Sequence, residues 1–114
     1  MTEIIPTEKL HMLGTETHLF QGGEYGDIPI SFFLVSASPG DGPKLHKHPY
    51  VEIFVVQEGQ ATITIGDTTI KVEEGHIAIG PANVPHKFIN SGKGLLRMVN
   101  IHPSKEVIQQ WLED

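Results

Sequence analysis

Residues 40–59 read GDGPKLHKHPYVEIFVVQEG, and this stretch decides how the rest of the chain is understood. His46, His48 and Glu52 are separated by two and four residues, so they share parity. On an extended strand, side chains of equal parity leave from one face. If that face lines a barrel interior, two imidazoles and a carboxylate converge there. An ionised Glu in an apolar interior is costly unless it is paired or bound to a metal. Ile53 and Val55 then point to the opposite face, which must also be covered, as in a sandwich. Phe54 and Val56 share the parity of Glu52 and give the same interior an apolar wall.

Working outward, short runs rich in β-branched and aromatic residues recur at 30–37, 51–56, 61–65, 68–72, 76–79, 87–89 and 95–101. Turn residues lie between them, with 12 Gly and 8 Pro spread along the chain rather than pooled in a linker. Many short strands of this kind predict an all-β sandwich or barrel. Residues 61–65, ATITI, alternate apolar and polar, as a strand with one wet face should. Gly66-Asp67 then separates this run from TTIKV at 68–72, and Gly in the first central position suits a type II′ hairpin turn. Only the C-terminus reads as helix. Ser104 suits an N-cap, Glu106 places negative charge in the first turn, and Val107, Ile108, Trp111 and Leu112 fall on one face. So short a helix needs a packing partner, and Trp111 is its expected anchor.

The length, 114 residues, predicts one domain spanning 1–114. A formal charge of −6 disfavours nucleic acid, whose phosphates demand the opposite sign, and anionic membranes for the same reason. No Cys is present, which removes disulfides, thiolate metal ligands and thiol nucleophiles. Neither a secretory leader nor an apolar run of about 20 residues is found, so the expected compartment is the cytoplasm.

The stretch 40–59 has the form G-x5-H-x-H-x3-E-x6-G, which resembles the first motif of the cupin family without a departure. The second cupin motif, G-x5-P-x-G-x2-H-x3-N, is similar to GHIAIGPANVPHKFIN at 75–90, with Gly75, Pro81, His86 and Asn90 in register. Asn83 stands where the family has Gly, and Asn tolerates the left-handed backbone better than other non-glycine residues. Fifteen residues, 60–74, separate the motifs, as in compact microbial cupins. The resemblance implies a double-stranded β-helix, the cupin jelly-roll barrel, here with a short C-terminal helix. It also implies a dimer and a metal held by His46, His48, Glu52 and His86.

Three imidazoles and a carboxylate suit Fe, Mn, Ni, Cu or Zn as the divalent ion. Phe54 and Phe88 each lie two residues beyond an expected ligand on the same face, so both are candidates for a substrate pocket, with Phe32 and Met98 beside them. Arg97 shares parity with Leu95, Val99 and Ile101 and reads either as a rim charge or as a pocket cation; Lys44 reads as a solvated rim residue. His76 reads as a turn residue, and His11, His18 and His102 have no partner at ligand spacing. The expected function is a metalloenzyme of dioxygenase type acting on a chelating organic molecule. The alternatives are an isomerase or lyase using the metal as Lewis acid, and a non-catalytic small-molecule binder. The expected partners are a small molecule and a second copy of the chain.

Overall fold

A computed structural model describes residues 3–113. It contains ten strands: β1 (His18–Gln21), β2 (Ser31–Ala37), β3 (His46–Lys47), β4 (Glu52–Glu58), β5 (Gln60–Ile65), β6 (Thr68–Glu73), β7 (His76–Gly80), β8 (His86–Asn90), β9 (Leu96–His102) and β10 (Gln110–Trp111). They form two five-stranded antiparallel sheets, ordered β1-β2-β9-β4-β7 and β10-β3-β8-β5-β6. Seven of these strands coincide, within a residue or two, with the β-branched runs of the sequence. Gly66 has φ +58 and Asp67 is not in the positive-φ region, as a type II′ turn requires, and Ile65 pairs with Thr68 across it. Asn83 takes φ +64, and its N–H donates to the His48 carbonyl at 2.7 Å, tying the second motif to the first.

The core lies between the sheets. Phe54, Val56, Ala61, Ile63, Leu96 and Met98 are almost wholly buried there, with Val35, Val72, Ala78 and Phe88 completing it. The opposite face of the first sheet is apolar as well. Phe32, Ile101, Ile53 and Ile79 stand in register across four strands, and Leu34, Val99, Val55 and Ile77 form a second row beside them. Ile77 and Ile79 are 64% and 60% exposed, so the outer side of Ile53 and Val55 is not covered by this chain as the sequence reading required.

No α-helix occurs among the described residues. The expected C-terminal helix is instead an extended segment. Gln110 and Trp111 pair with Lys47 and His46, and the Leu112 N–H donates to the Leu45 carbonyl at 2.9 Å. A helix of about ten residues is marginal by itself, whereas β3 offers an open edge with unpaired backbone groups. Edge pairing satisfies those groups, and the Trp111 ring lies beside His46, with centroids 5.1 Å apart, rather than anchoring a helix.

Candidate metal centre

His46, His48 and Glu52 do not share one strand. The chain leaves the second sheet after Lys47 and enters the first at Glu52, with His48 to Val51 making the crossing. His46 faces His86 directly across the β3–β8 pair. The cluster is thus assembled from both sheets: two imidazoles from one, the carboxylate from the other, and the third imidazole from the link. Glu52 lies opposite Gly80, where a Cβ would stand 3.1 Å from the Phe54 ring and 3.6 Å from His86 Nδ1. Glycine keeps that approach open.

The donor atoms of His46, His48, Glu52 and His86 all lie within 4.8 Å of one another, and all four residues are buried. His48 Nε2 and His86 Nε2 each stand 3.0 Å from Glu52 Oε1. The other ring nitrogen of each ligand candidate meets a carbonyl: His46 Nδ1 lies 2.6 Å from the Lys44 oxygen, His48 Nδ1 2.8 Å from that of Ile108, and His86 Nδ1 3.3 Å from that of Val84. A carbonyl only accepts, so each Nδ1 carries the proton and each neutral ring presents an Nε2 lone pair to the cluster. His48 Nε2, His86 Nε2 and Glu52 Oε1 have no hydrogen-bond partner, and neither has His102 Nε2 beside them. Buried acceptors gathered around one point, without donors, are the arrangement that a divalent cation resolves. Ligands bonding at about 2.1 Å and at right angles, as around an octahedral ion, would stand about 3.0 Å apart, so the observed separation also fits.

Burial pushes the Glu52 carboxyl up, but the His102 imidazole at its oxygens, the largest opposing influence, helps hold it well below the usual carboxylate range. Glu52 is therefore an anion. Burial, helped by His86 and His48, lowers the His46 imidazole despite the Lys44 carbonyl and Glu52, which favours the neutral form a metal needs. Among the described residues this is the only such group of four.

His102, which the sequence reading left without a role, is almost wholly buried with Nε2 3.3 Å from Glu52 Oε2. Its Nδ1 lies 2.6 Å from the Tyr50 hydroxyl, and the Tyr50 ring stacks on His48 with centroids 5.2 Å apart. Burial raises the Tyr50 phenol, offset in part by the Ile108 N–H, so the hydroxyl keeps its proton. The available signal was parity: His102 alternates with Leu96, Met98 and Asn100, which all point inward.

Beside the cluster opens a cleft of about 880 Å³. Phe33, Val35, Phe88 and Trp111 form its apolar wall, and His46, Glu52, Asn100 and His102 its polar end. Of the expected pocket residues only Phe88 lines this cleft. Phe54 and Met98 are core residues, and Phe32 points outward, stacked on Phe20 at 4.9 Å. Phe33, one position further on, takes the inward place. Arg97 is exposed, on the face opposite Met98, and Lys44 is exposed as well, its carbonyl oriented to His46. His76 is exposed at the start of β7, directly after the Glu74-Gly75 turn, while His11 and His18 bridge each other at the N-terminal margin.

A family model described as a cupin domain matches residues 33–102. An uncharacterized protein of Streptomyces coelicolor, SCO3923, is 30% identical over 77 residues, covering 68% of this chain and 71% of that protein. Solved structures of the same fold include the oxalate decarboxylase of Bacillus subtilis at pH 4.6, with a TM-score of 0.77 and 21% identity. That match covers 90% of this chain and 29% of the decarboxylase, a protein with Mn(II) centres. The oxalate decarboxylase of Lactobacillus farciminis in its formate complex gives 0.77 and 18%, covering 90% and 32%. This chain therefore spans about a third of those decarboxylases. With the motifs, the barrel and a matching family model over more than half its length, the chain belongs to the cupin family.

Proposed function

We propose that this cupin is a metal-dependent enzyme of dioxygenase type acting on a chelating organic molecule, with His46, His48, Glu52 and His86 as the metal ligands. The observation that carries this reading is the convergence of buried Nε2 lone pairs on Glu52 Oε1 with no donor among them. A redox-active divalent ion held there supplies a centre at which an organic chelate and dioxygen can meet. The protein's own part is to hold three imidazoles in the Nε2-donor tautomer, keep Glu52 ionised, and leave His46 facing the cleft.

Phe33, Phe88 and Trp111 supply an apolar surface for the body of the molecule and exclude water from the reacting end. Asn100 Oδ1 is buried without a partner beside the cleft and would accept from a hydroxyl of the bound molecule. The described wall includes Glu16, Asp41 and Glu52 and no Lys or Arg. With no cationic side chain on it, the wall leaves the ion to meet the anionic chelating end of the bound molecule and offers the rest an apolar surface.

The test is elemental analysis of the protein after loading with Fe, Mn, Ni, Cu or Zn, beside a His46→Ala/His86→Ala double variant, followed by oxygen uptake with a panel of enols, catechols and flavonoid-like compounds. Stoichiometric metal lost in the variant, with oxygen consumed by the Fe form, is the expected outcome. Metal binding with no oxygen uptake, but turnover by the Zn form without air, would replace the dioxygenase by a Lewis-acid isomerase or lyase. Empty protein in every case would leave a non-catalytic binder.

The two apolar rows on the outer face of the first sheet support a second proposal, that a second copy of the chain packs there as a homodimer. Light scattering should give twice the chain mass, and Ile79→Lys, at the edge of that face, should return it to the monomer. A monomeric parent at micromolar concentration would exclude it.

A further inference from the structure

Four imidazoles surround Glu52, and one of them is wired in reverse. His46, His48 and His86 place Nδ1 against carbonyl oxygens, which fixes their protons there. His102 places Nδ1 2.6 Å from the Tyr50 hydroxyl, which can donate. The Tyr50 oxygen already receives the Ile108 N–H at 3.2 Å, so its own proton needs an acceptor, and Nδ1 of His102 is the one in reach. His102 then carries its proton on Nε2, facing Glu52 Oε2 at 3.3 Å. The opposite tautomer would leave the Tyr50 proton without an acceptor and press an imidazole lone pair against a carboxylate oxygen in a buried site. His102 also lies outside the set of donors that fall within 4.8 Å of one another.

We propose that Tyr50 and His102 are positioning residues of the metal centre, a brace that occupies Glu52 Oε2 and leaves Oε1 alone to face the ion. The inference rests on the metal-binding reading above. The brace runs Ile108 N–H to Tyr50 and Tyr50 O–H to His102, and ends on the 3.3 Å contact of His102 Nε2 with Glu52 Oε2, the group nearest that nitrogen's proton, which has no hydrogen bond elsewhere. The same Ile108 peptide accepts the His48 Nδ1–H through its carbonyl at 2.8 Å. One backbone unit of the C-terminal segment therefore orients a ligand with its oxygen and the brace of a second ligand with its nitrogen. A carboxylate held at one oxygen binds through the other, which keeps more of the ion's coordination positions open to the cleft. Outer partners of this kind set ligand orientation and contribute to metal affinity.

The test uses Co(II), whose visible absorption reports coordination number, with affinity measured by competition against a chromophoric chelator. His102→Leu should weaken Co(II) binding by about 10- to 100-fold and lower the visible absorbance as Glu52 turns both oxygens to the ion. His102→Gln, whose amide can donate to Oε2 and accept from Tyr50, should recover the affinity to within about threefold of the parent. Tyr50→Phe removes one oxygen from a ring that still stacks on His48, and should cost about 3- to 10-fold. Melting of each metal-free variant separates loss of the brace from loss of the fold, and Tyr50→Phe carries the test if His102→Leu does not fold. Parental affinity and spectrum in His102→Leu or in Tyr50→Phe would overturn the brace while leaving the metal centre intact. So would a His102→Gln variant as weak as His102→Leu. A parent that takes up no Co(II) would overturn both.

Discussion

His46 and His86 are held by the residues that lead directly into their own strands, whereas His48 is held from the far end of the chain. The first two give Nδ1–H to carbonyls two residues earlier, at Lys44 and Val84, and face each other across one antiparallel pair. His48 gives Nδ1–H to Ile108, sixty residues away, and its stacked neighbour Tyr50 receives the Ile108 N–H. Folding of β3 against β8 therefore orients two ligands at once. The third ligand and the brace on the carboxylate wait for the C-terminal segment to dock. The lesson is that a metal site built on a barrel can have one half set by local backbone geometry and another set by a distant strap.

Removing the strap should break this comparison with the largest effect. A chain ending after Glu106 loses the Ile108 peptide, the β10–β3 pairing and Trp111 together. The expected result is an intact two-sheet barrel by circular dichroism with Co(II) affinity reduced by at least about 10-fold, because His46 and His86 remain oriented while His48 and Glu52 do not. Unchanged affinity would show that the crossing at 48–51 orients His48 unaided. Complete loss of the barrel would show instead that the segment is part of the folding core and not a strap.

The same division explains what could be read in the sequence. Alternation made β5 and β6 legible, and Gly66-Asp67 joined them with the right turn. Local spacing made His46, His48 and Glu52 legible and the resemblance to the second motif added His86, although the geometric reason differs: His46 and Glu52 share parity but lie on different sheets. Contacts across long separations were not legible. His102 meets Tyr50 over 52 residues and its polar neighbour Asn100 points inward, while the apolar Val99 and Ile101 face outward. On the C-terminal half of β9 this reverses the usual rule that the apolar side is the inner one: Asn100 and His102 face the polar site, while Leu96 and Met98 earlier on the same face belong to the core. On β2 both faces are apolar, so composition gave no sign that Phe32 turns outward and Phe33 into the cleft. The C-terminal residues carried a helical spacing of apolar side chains, yet an open strand edge and two side-chain partners for one peptide, His48 and Tyr50, offered more than a marginal helix.

Acid sharpens the comparison by acting first on the locally held half. In the metal-free protein, burial keeps His46 neutral below the ordinary imidazole value of 6.5. The unfolded chain takes up a proton at His46 near that value and the folded chain does not, so unfolding is favoured increasingly as the pH falls below it. Glu52 adds to the loss further down. Its carboxyl stays ionised in the fold below the ordinary value of 4.5, where the unfolded chain is already protonated, so the stability it contributes is full above 4.5 and declines as pH falls toward its folded value. Urea midpoints of the metal-free protein should be level above about pH 7 and decline progressively below about pH 6.5. His46→Gln, which keeps an amide donor for the Lys44 carbonyl but cannot titrate, should flatten the upper part of that decline and leave the part below about pH 4.5. An equal slope in the parent and His46→Gln above pH 4.5 would move the acid-sensitive group away from β3, to the half of the site that the C-terminal segment holds.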